Sequence, residues 1–105
     1  MANCQNFKIT LRNGGNVEIK ATKFEYEDGS AWKTENMFGL DGHQKIEPGQ
    51  GVVFTRNLEG IGGEKTRFRV TYKRHAGGTV WGDDTVTTTD RFVAIDNGAQ
   101  TVTLP

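Results

Sequence analysis

Alternation of apolar and polar residues dominates this chain, and no stretch of ten or more residues holds a helical repeat. In NFKITL, Phe7, Ile9 and Leu11 fall on one face, with Lys8 and Thr10 on the other. NVEIKATKFEY begins with Val17, Ile19 and Ala21 inward, then changes phase to Phe24 and Tyr26. A period-two pattern changes phase only through an extra residue or a break, which places a β-bulge or kink near Thr22–Lys23. In AWKTENMF, Trp32, Thr34, Asn36 and Phe38 share a face and Met37 lies opposite. QGVVFTR puts Val52 and Phe54 on one side and Val53 on the other, the pattern of a strand covered on both faces. The clearest alternation is EKTRFRVTYKR, where Thr66, Phe68, Val70 and Tyr72 oppose Lys65, Arg67, Arg69, Thr71 and Lys73. It reads as a half-buried antiparallel strand. TVTTT, RFVAI and AQTVTL follow, the last with Val102 and Leu104 inward.

Turn chemistry separates these segments. Asn13-Gly14-Gly15, Asp28-Gly29, Asp41-Gly42, Pro48-Gly49, Gly62-Gly63, Gly77-Gly78 and Asn97-Gly98 supply the backbone freedom that tight turns need. Thirteen threonines, concentrated in the later strand segments, fit β-branched packing on pleated surfaces. No βαβ spacing occurs, which argues against a parallel sheet. The expected fold is all-β, a single domain over residues 1–105: an antiparallel two-sheet β-sandwich of seven to nine strands. Hairpin turns between most neighbours favour up-and-down order, with a jelly-roll-like arrangement as the variant.

A chain of 105 residues is one domain with one thin core. Thirteen basic and thirteen acidic residues cancel, so no global field draws it to nucleic acid or anionic lipid. No run of 18 apolar residues exists, and membrane insertion is not expected. Cys4 is the only cysteine, which precludes an intramolecular disulfide and mildly favours a reducing compartment. It reads as a free thiol in preference to an interchain link. The opening MANCQNFKIT lacks the basic-then-apolar order of a secretory signal peptide, and no Asn-x-Ser/Thr sequon occurs. The expected location is cytoplasmic, or extracellular by a route without such a signal.

Catalysis finds little support. His43, His75 and Cys4 sit in no nucleophile or base motif, and LEGIGGEKT lacks phosphate-loop spacing. A non-enzyme is expected. Lys65, Arg67, Arg69 and Lys73, with Arg74 and His75 at the end, form a cationic strip suited to sialylated or sulfated glycans, phospholipid headgroups or nucleic acid. The competing reading is a solvated face neutralised by Glu18, Glu25 and Glu27 on neighbouring strands. In HAGGTVWGDDT, Trp81 stands in a glycine-flanked turn just before Asp83 and Asp84. A sugar site needs an aromatic face for the C–H side of a pyranose and carboxylates or amides for its hydroxyls. Trp81, Asp83 and Asp84 supply both, and Asp96 and Asn97 add a second cluster if the loops meet at one end. Arg69 joins this carbohydrate-binding set as its cation. The bland alternative makes Trp81 a plug for one end of the core and the aspartates turn residues; Trp32 reads as core. Asp83, Asp84, Asp96 and Asn97 are also hard oxygen ligands for calcium, but match no contiguous calcium loop, so no cofactor or metal is expected.

A chain of this length that opens MANCQNFKITL, carries TRFRVTYKR and VWGDDT, and closes RFVAIDNGAQTVTL resembles the small hemagglutinins of slime moulds, of the Physarum type. The resemblance spans the whole chain. It implies a lectin-like β-sandwich, related in architecture to legume lectins and galectins. It also implies a non-catalytic protein that binds cell-surface glycans and agglutinates cells. Agglutination demands two sites per particle, through two sites on one chain or a homo-oligomer. The alternative is a protein-binding module: GIGG and GTVW, following VEI and GSAW, are similar to the loop-presenting cysteine-protease inhibitors of the chagasin type. Lys23, Phe24, Glu25, Tyr26 and Glu27 stand where that family carries an Asn-Pro-Thr-Thr-Gly loop. A membrane-active sandwich would need Trp32 and Trp81, 49 positions apart, to be gathered by folding.

Overall fold

The computed structural model describes residues 2–39 and 41–105. Among them the alternating segments become eleven strands and no helix: β1 (Cys4–Asn13), β2 (Ile19–Asp28), β3 (Ala31–Thr34), β4 (Gln44–Ile46), β5 (Gly51–Leu58), β6 (Lys65–Thr66), β7 (Phe68–Gly77), β8 (Val80–Trp81), β9 (Thr85–Thr88), β10 (Phe92–Val93) and β11 (Ala99–Leu104). One sheet has the order β11-β1-β5. The larger has β2 and β7 at its centre, with β3 and β4 on the far side of β2 and β8 and β9 on the far side of β7. β6 and β10 form a short ribbon between them in sequence.

The inward residues of the alternation build the core. Phe7, Ile9 and Leu11 of β1, Phe68, Val70 and Tyr72 of β7, and Val102 and Leu104 of β11 are all enclosed. Phe68 joins the two sheets. Its ring meets Phe7 edge-on at 5.8 Å between centroids, Phe24 at 4.8 Å and Phe92 at 4.9 Å. Each such side chain contributes about 1.5–3 kcal/mol by leaving water. The phase change in β2 is a real bulge: Ala21 faces Tyr72 and Lys23 faces Thr71, leaving Thr22 as the extra residue. The Thr22 hydroxyl donates to the Thr71 carbonyl at 3.3 Å.

Five features depart from the sequence reading. The strands do not follow up-and-down order: β1 lies beside β5 and β11, and β2 beside β7. The Asn13–Gly15 turn carries the chain toward the other sheet, so later strands supply the neighbours of β1. β1 and β11 pair in parallel, Leu11 opposite Val102, which a long connection permits and a hairpin does not. Val53 is 55% exposed, on the outward side of β5, the edge strand of its sheet. β3 stops at Thr34, and beyond it both Met37 and Phe38 turn inward. Phe38 packs on Phe54 at 5.8 Å, since irregular backbone no longer alternates its side chains. Eleven strands replace seven to nine because three of them, β6, β8 and β10, are only two residues long.

Two buried polar groups tie the ends of β1. Asn13 donates through Nδ2 to the carbonyls of Val17 (2.7 Å) and Ile46 (2.9 Å), and its Oδ1 accepts from Gly15 N–H at 3.0 Å. Asn13→Ala strands these partners, and urea titration should show a loss of about 2–3 kcal/mol. A loss near zero would mean water replaces the amide. At the other end, Cys4 is enclosed and its thiol donates to the Ile95 carbonyl at 3.3 Å. Burial, followed by the nearby Asp96 charge, pushes its pKa up. Native protein should therefore react with a thiol-specific chromogenic disulfide only as fast as the strand opens; labelling within seconds would contradict this.

Candidate functional site

The outer face of the larger sheet carries both indoles, and the Thr22 bulge sets which charges surround each. Before the bulge, Ile19 and Ala21 point inward and Lys20 outward; after it, Phe24 and Tyr26 are inward, and Glu25 and Glu27 outward. One patch therefore forms around Trp32 and another around Trp81.

At Trp32 every charge found by the contacts is matched. Trp32 stands opposite Glu27, and the guanidinium groups of Arg69 and Arg67 lie 4.1 and 5.3 Å from its ring centre. Arg69 forks onto Glu25 through Nε (2.9 Å) and Nη2 (2.8 Å). Arg67 and Arg91 share Glu27, at 3.0 and 3.1 Å. Hydrogen bonding from Arg69 outweighs burial and holds the Glu25 carboxyl below its ordinary range. Burial pushes Glu27 upward, but hydrogen bonds from Arg91 and Arg67 outweigh it and the net shift is downward. Arg69, expected in a sugar site, is thus occupied by Glu25 and Trp32. The neutralised-face reading holds for this half of the basic strip.

Trp81 is placed by a hairpin. Gly77 and Gly78, at φ of 111° and 56°, turn β8 back along β7 and set Trp81 opposite His75. The two rings lie 5.1 Å apart, and His75 Nε2 donates to the Gly78 carbonyl at 2.8 Å. Lys20 Nζ sits 4.6 Å from the indole centre and Lys45 Nζ 5.8 Å. Lys73, on the neighbouring strand, pairs with Asp84 at 2.9 Å. The indole is half-buried. It is neither an enclosed plug nor a bare platform, because ammonium groups already lie over its ring.

The predicted site residues do not all converge. Trp81 and Asp84 belong to this patch, and Asp83 is exposed beside it in sequence. Asp96 and Asn97 lie at the opposite end of the sandwich, where Asp96 Oδ1 accepts from Gln5 N–H (2.8 Å) and Asn97 N–H donates to the Gln5 carbonyl (2.9 Å). Gln5 is the second residue of β1, whereas Asn13 ends it against Ile46, next to Lys45. Ten residues at about 3.3 Å each separate the two ends by about 30 Å. Asp96 and Asn97 fasten the turn before β11, with Asn97 at φ 62°. The oxygen ligands of the calcium reading are split in the same way. Among the described residues no group of three or more His, Cys, Asp or Glu side chains gathers as a metal site.

Lys20 and Lys45 were missed in the sequence. Lys20 could have been found, since it precedes the bulge on the polar side of β2. Lys45 lies in a three-residue strand without a pattern. A shallow cleft of about 500 Å³, lined by Asp28, Gly29, Gly63, Glu64, Lys65 and Val93, opens near the GIGG loop. GTVW is at the other end, so the loops similar to those of protease inhibitors are not gathered into one edge. No family model, curated protein or solved structure matches the chain.

The carboxyl shifts predict a stability profile. Glu25 and Glu27 have lowered folded pKa values, so their contribution is present above the ordinary 4.5 and is lost as pH falls through the folded values. Glu35 is raised by burial, and Glu47 by hydrogen bonding and repulsion from Glu18. These two act oppositely: the folded state holds their protons more tightly, so stability declines as pH rises above 4.5 through their range. Thermal melts should peak in mild acid, and Glu25→Gln should shallow the acid-side decline. A profile that rises steadily to neutral pH would refute the assignment.

Proposed function

We propose that the chain is a non-catalytic glycan-binding module that engages saccharides at Trp81. What carries the reading is a half-buried indole on an uncovered sheet face, ringed by Lys20, Lys45, His75 and the Lys73–Asp84 pair. A pyranose offers an apolar face of C–H groups and an equatorial belt of hydroxyls. The accessible part of the indole takes the former. Lys73, Asp84 and exposed Asp83 present donors and acceptors to the latter. The rigid sheet holds these groups before the ligand arrives, so little ordering is required on binding.

Arg69, Asp96 and Asn97 are not part of this site; their contacts serve the fold. The resemblance to slime-mould hemagglutinins accords with the same reading and adds agglutination. One shallow site of this size binds weakly, so agglutination calls for several sites per particle.

Screening on a glycan array, followed by titration on tryptophan fluorescence, tests the proposal. Wild type should bind a defined set of saccharides. Trp81→Ala should weaken binding tenfold or more, about 1.4 kcal/mol. Trp32→Ala, although it disturbs the arginine pair, should retain it. Absence of any hit, or unchanged affinity in a folded Trp81→Ala variant, would end this reading.

A further inference from the structure

Building on the glycan-binding reading, we infer that the Trp81 site selects acidic saccharides, with a carboxylate or sulfate group seated between the ammonium groups of Lys20 and Lys45. Lys20 on β2 stands directly opposite Lys45 on β4 and, on its other side, opposite Lys73 on β7. Three cations in one cross-strand row repel one another, and like charges at facing positions destabilise a sheet. Lys73 is relieved by Asp84. Among the described residues, Lys20 and Lys45 reach no carboxylate at ion-pair distance.

The nearest acids along the same strands do not supply the missing charge. Glu18 and Glu47, two positions from Lys20 and Lys45, stand at ion-pair distance from neither lysine. They also sit beside His75, which reaches Glu18 through its backbone N–H. The other neighbours of the pair are Trp81, His75 and the Asp84–Lys73 couple. Two ammonium groups over one indole remain without an anion.

The Trp32 patch is an internal control for this contrast. There, too, two cations lie over an indole, yet each has a glutamate. The same fold thus completes the charge pattern at one tryptophan and leaves it open at the other. An incoming anion would accept hydrogen bonds from both ammonium groups and cancel their repulsion. Lysine, a compact point charge, suits a carboxylate or a sulfate equally. The sugar ring that bears the group then covers the accessible edge of Trp81.

The test compares three oligosaccharides built on one neutral core: unmodified, capped with a carboxylate-bearing sugar, and sulfated. Calorimetry at low and at physiological salt should give the charged forms about tenfold tighter binding at low salt, with the advantage shrinking as salt screens it. The carboxylated and sulfated arms show which anion is preferred. Lys20→Gln/Lys45→Gln should bind the charged ligands no more tightly than that same variant binds the neutral core. Its melting temperature should rise, because the repulsion is gone.

Equal binding of neutral and charged forms by wild type would overturn the inference and leave the glycan-binding reading standing. A lower melting temperature with selectivity retained would mark the lysines as packing for Trp81, and would likewise overturn it. No binding of any of the three, together with an array without hits, would remove both readings.

Discussion

One extra residue, Thr22, governs how this sandwich divides its side chains between core and surface. Strand pairing has a strict two-residue period, so β2 without the bulge would expose Phe24 and Tyr26 if Ile19 and Ala21 were buried. The slip between Ala21 and Lys23 lets all four face inward against β7. It also sets the opposite face, since Lys20 and Glu25 can both point outward only because the phase changes between them. The charge pattern around each tryptophan is therefore a consequence of core packing.

That constraint explains why two similar constellations behave differently. β7 passes beneath both, with Arg67 and Arg69 on the side beyond the bulge and Lys73 and His75 before it. Beyond the bulge, β2 offers Glu25 and Glu27, and bidentate and shared pairs hold the guanidinium groups of Arg69 and Arg67 over Trp32. Before it, β2 offers Lys20, and β4 adds Lys45. About 20 Å of strand separates Arg69 from His75, so the glutamates of one patch do not neutralise the other.

Much of the architecture was legible because it is written in alternation. The inward sets of β1, β7 and β11 and the bulge itself follow from period two alone. The hairpin that sets Trp81 against His75 was signalled by Gly77-Gly78. What escaped the pattern was everything that depends on which strands become neighbours. A turn such as Asn13–Gly15 reads the same whether the chain folds back beside itself or crosses to the other sheet. Consequently the parallel pair β1–β11, the exposed face of Val53 and the separation of Asp96 from Trp81 were beyond reach. Glu25 and Glu27 were legible as counter-ions of the basic strand, but their 40 or more positions of separation hid that they would occupy Arg69 and Arg67 in particular.

The Trp81 patch departs from the economy found elsewhere in the molecule. Among the described residues no buried side-chain polar atom lacks a partner, and the buried glutamates of the outer face hold arginines. Sequences that specify one structure agree with themselves at each level, and local breaches of the rule concentrate where a ligand completes the pattern. Facing lysines that lean on one ring cost stability and give the core nothing. Neutral polar residues at these positions would remove the repulsion between the facing lysines and give up only their contacts with the Trp81 ring. A two-glycine hairpin delivers Trp81 to the same spot, and an anion held between the two ammonium groups is what the proposed site would add to complete the pattern.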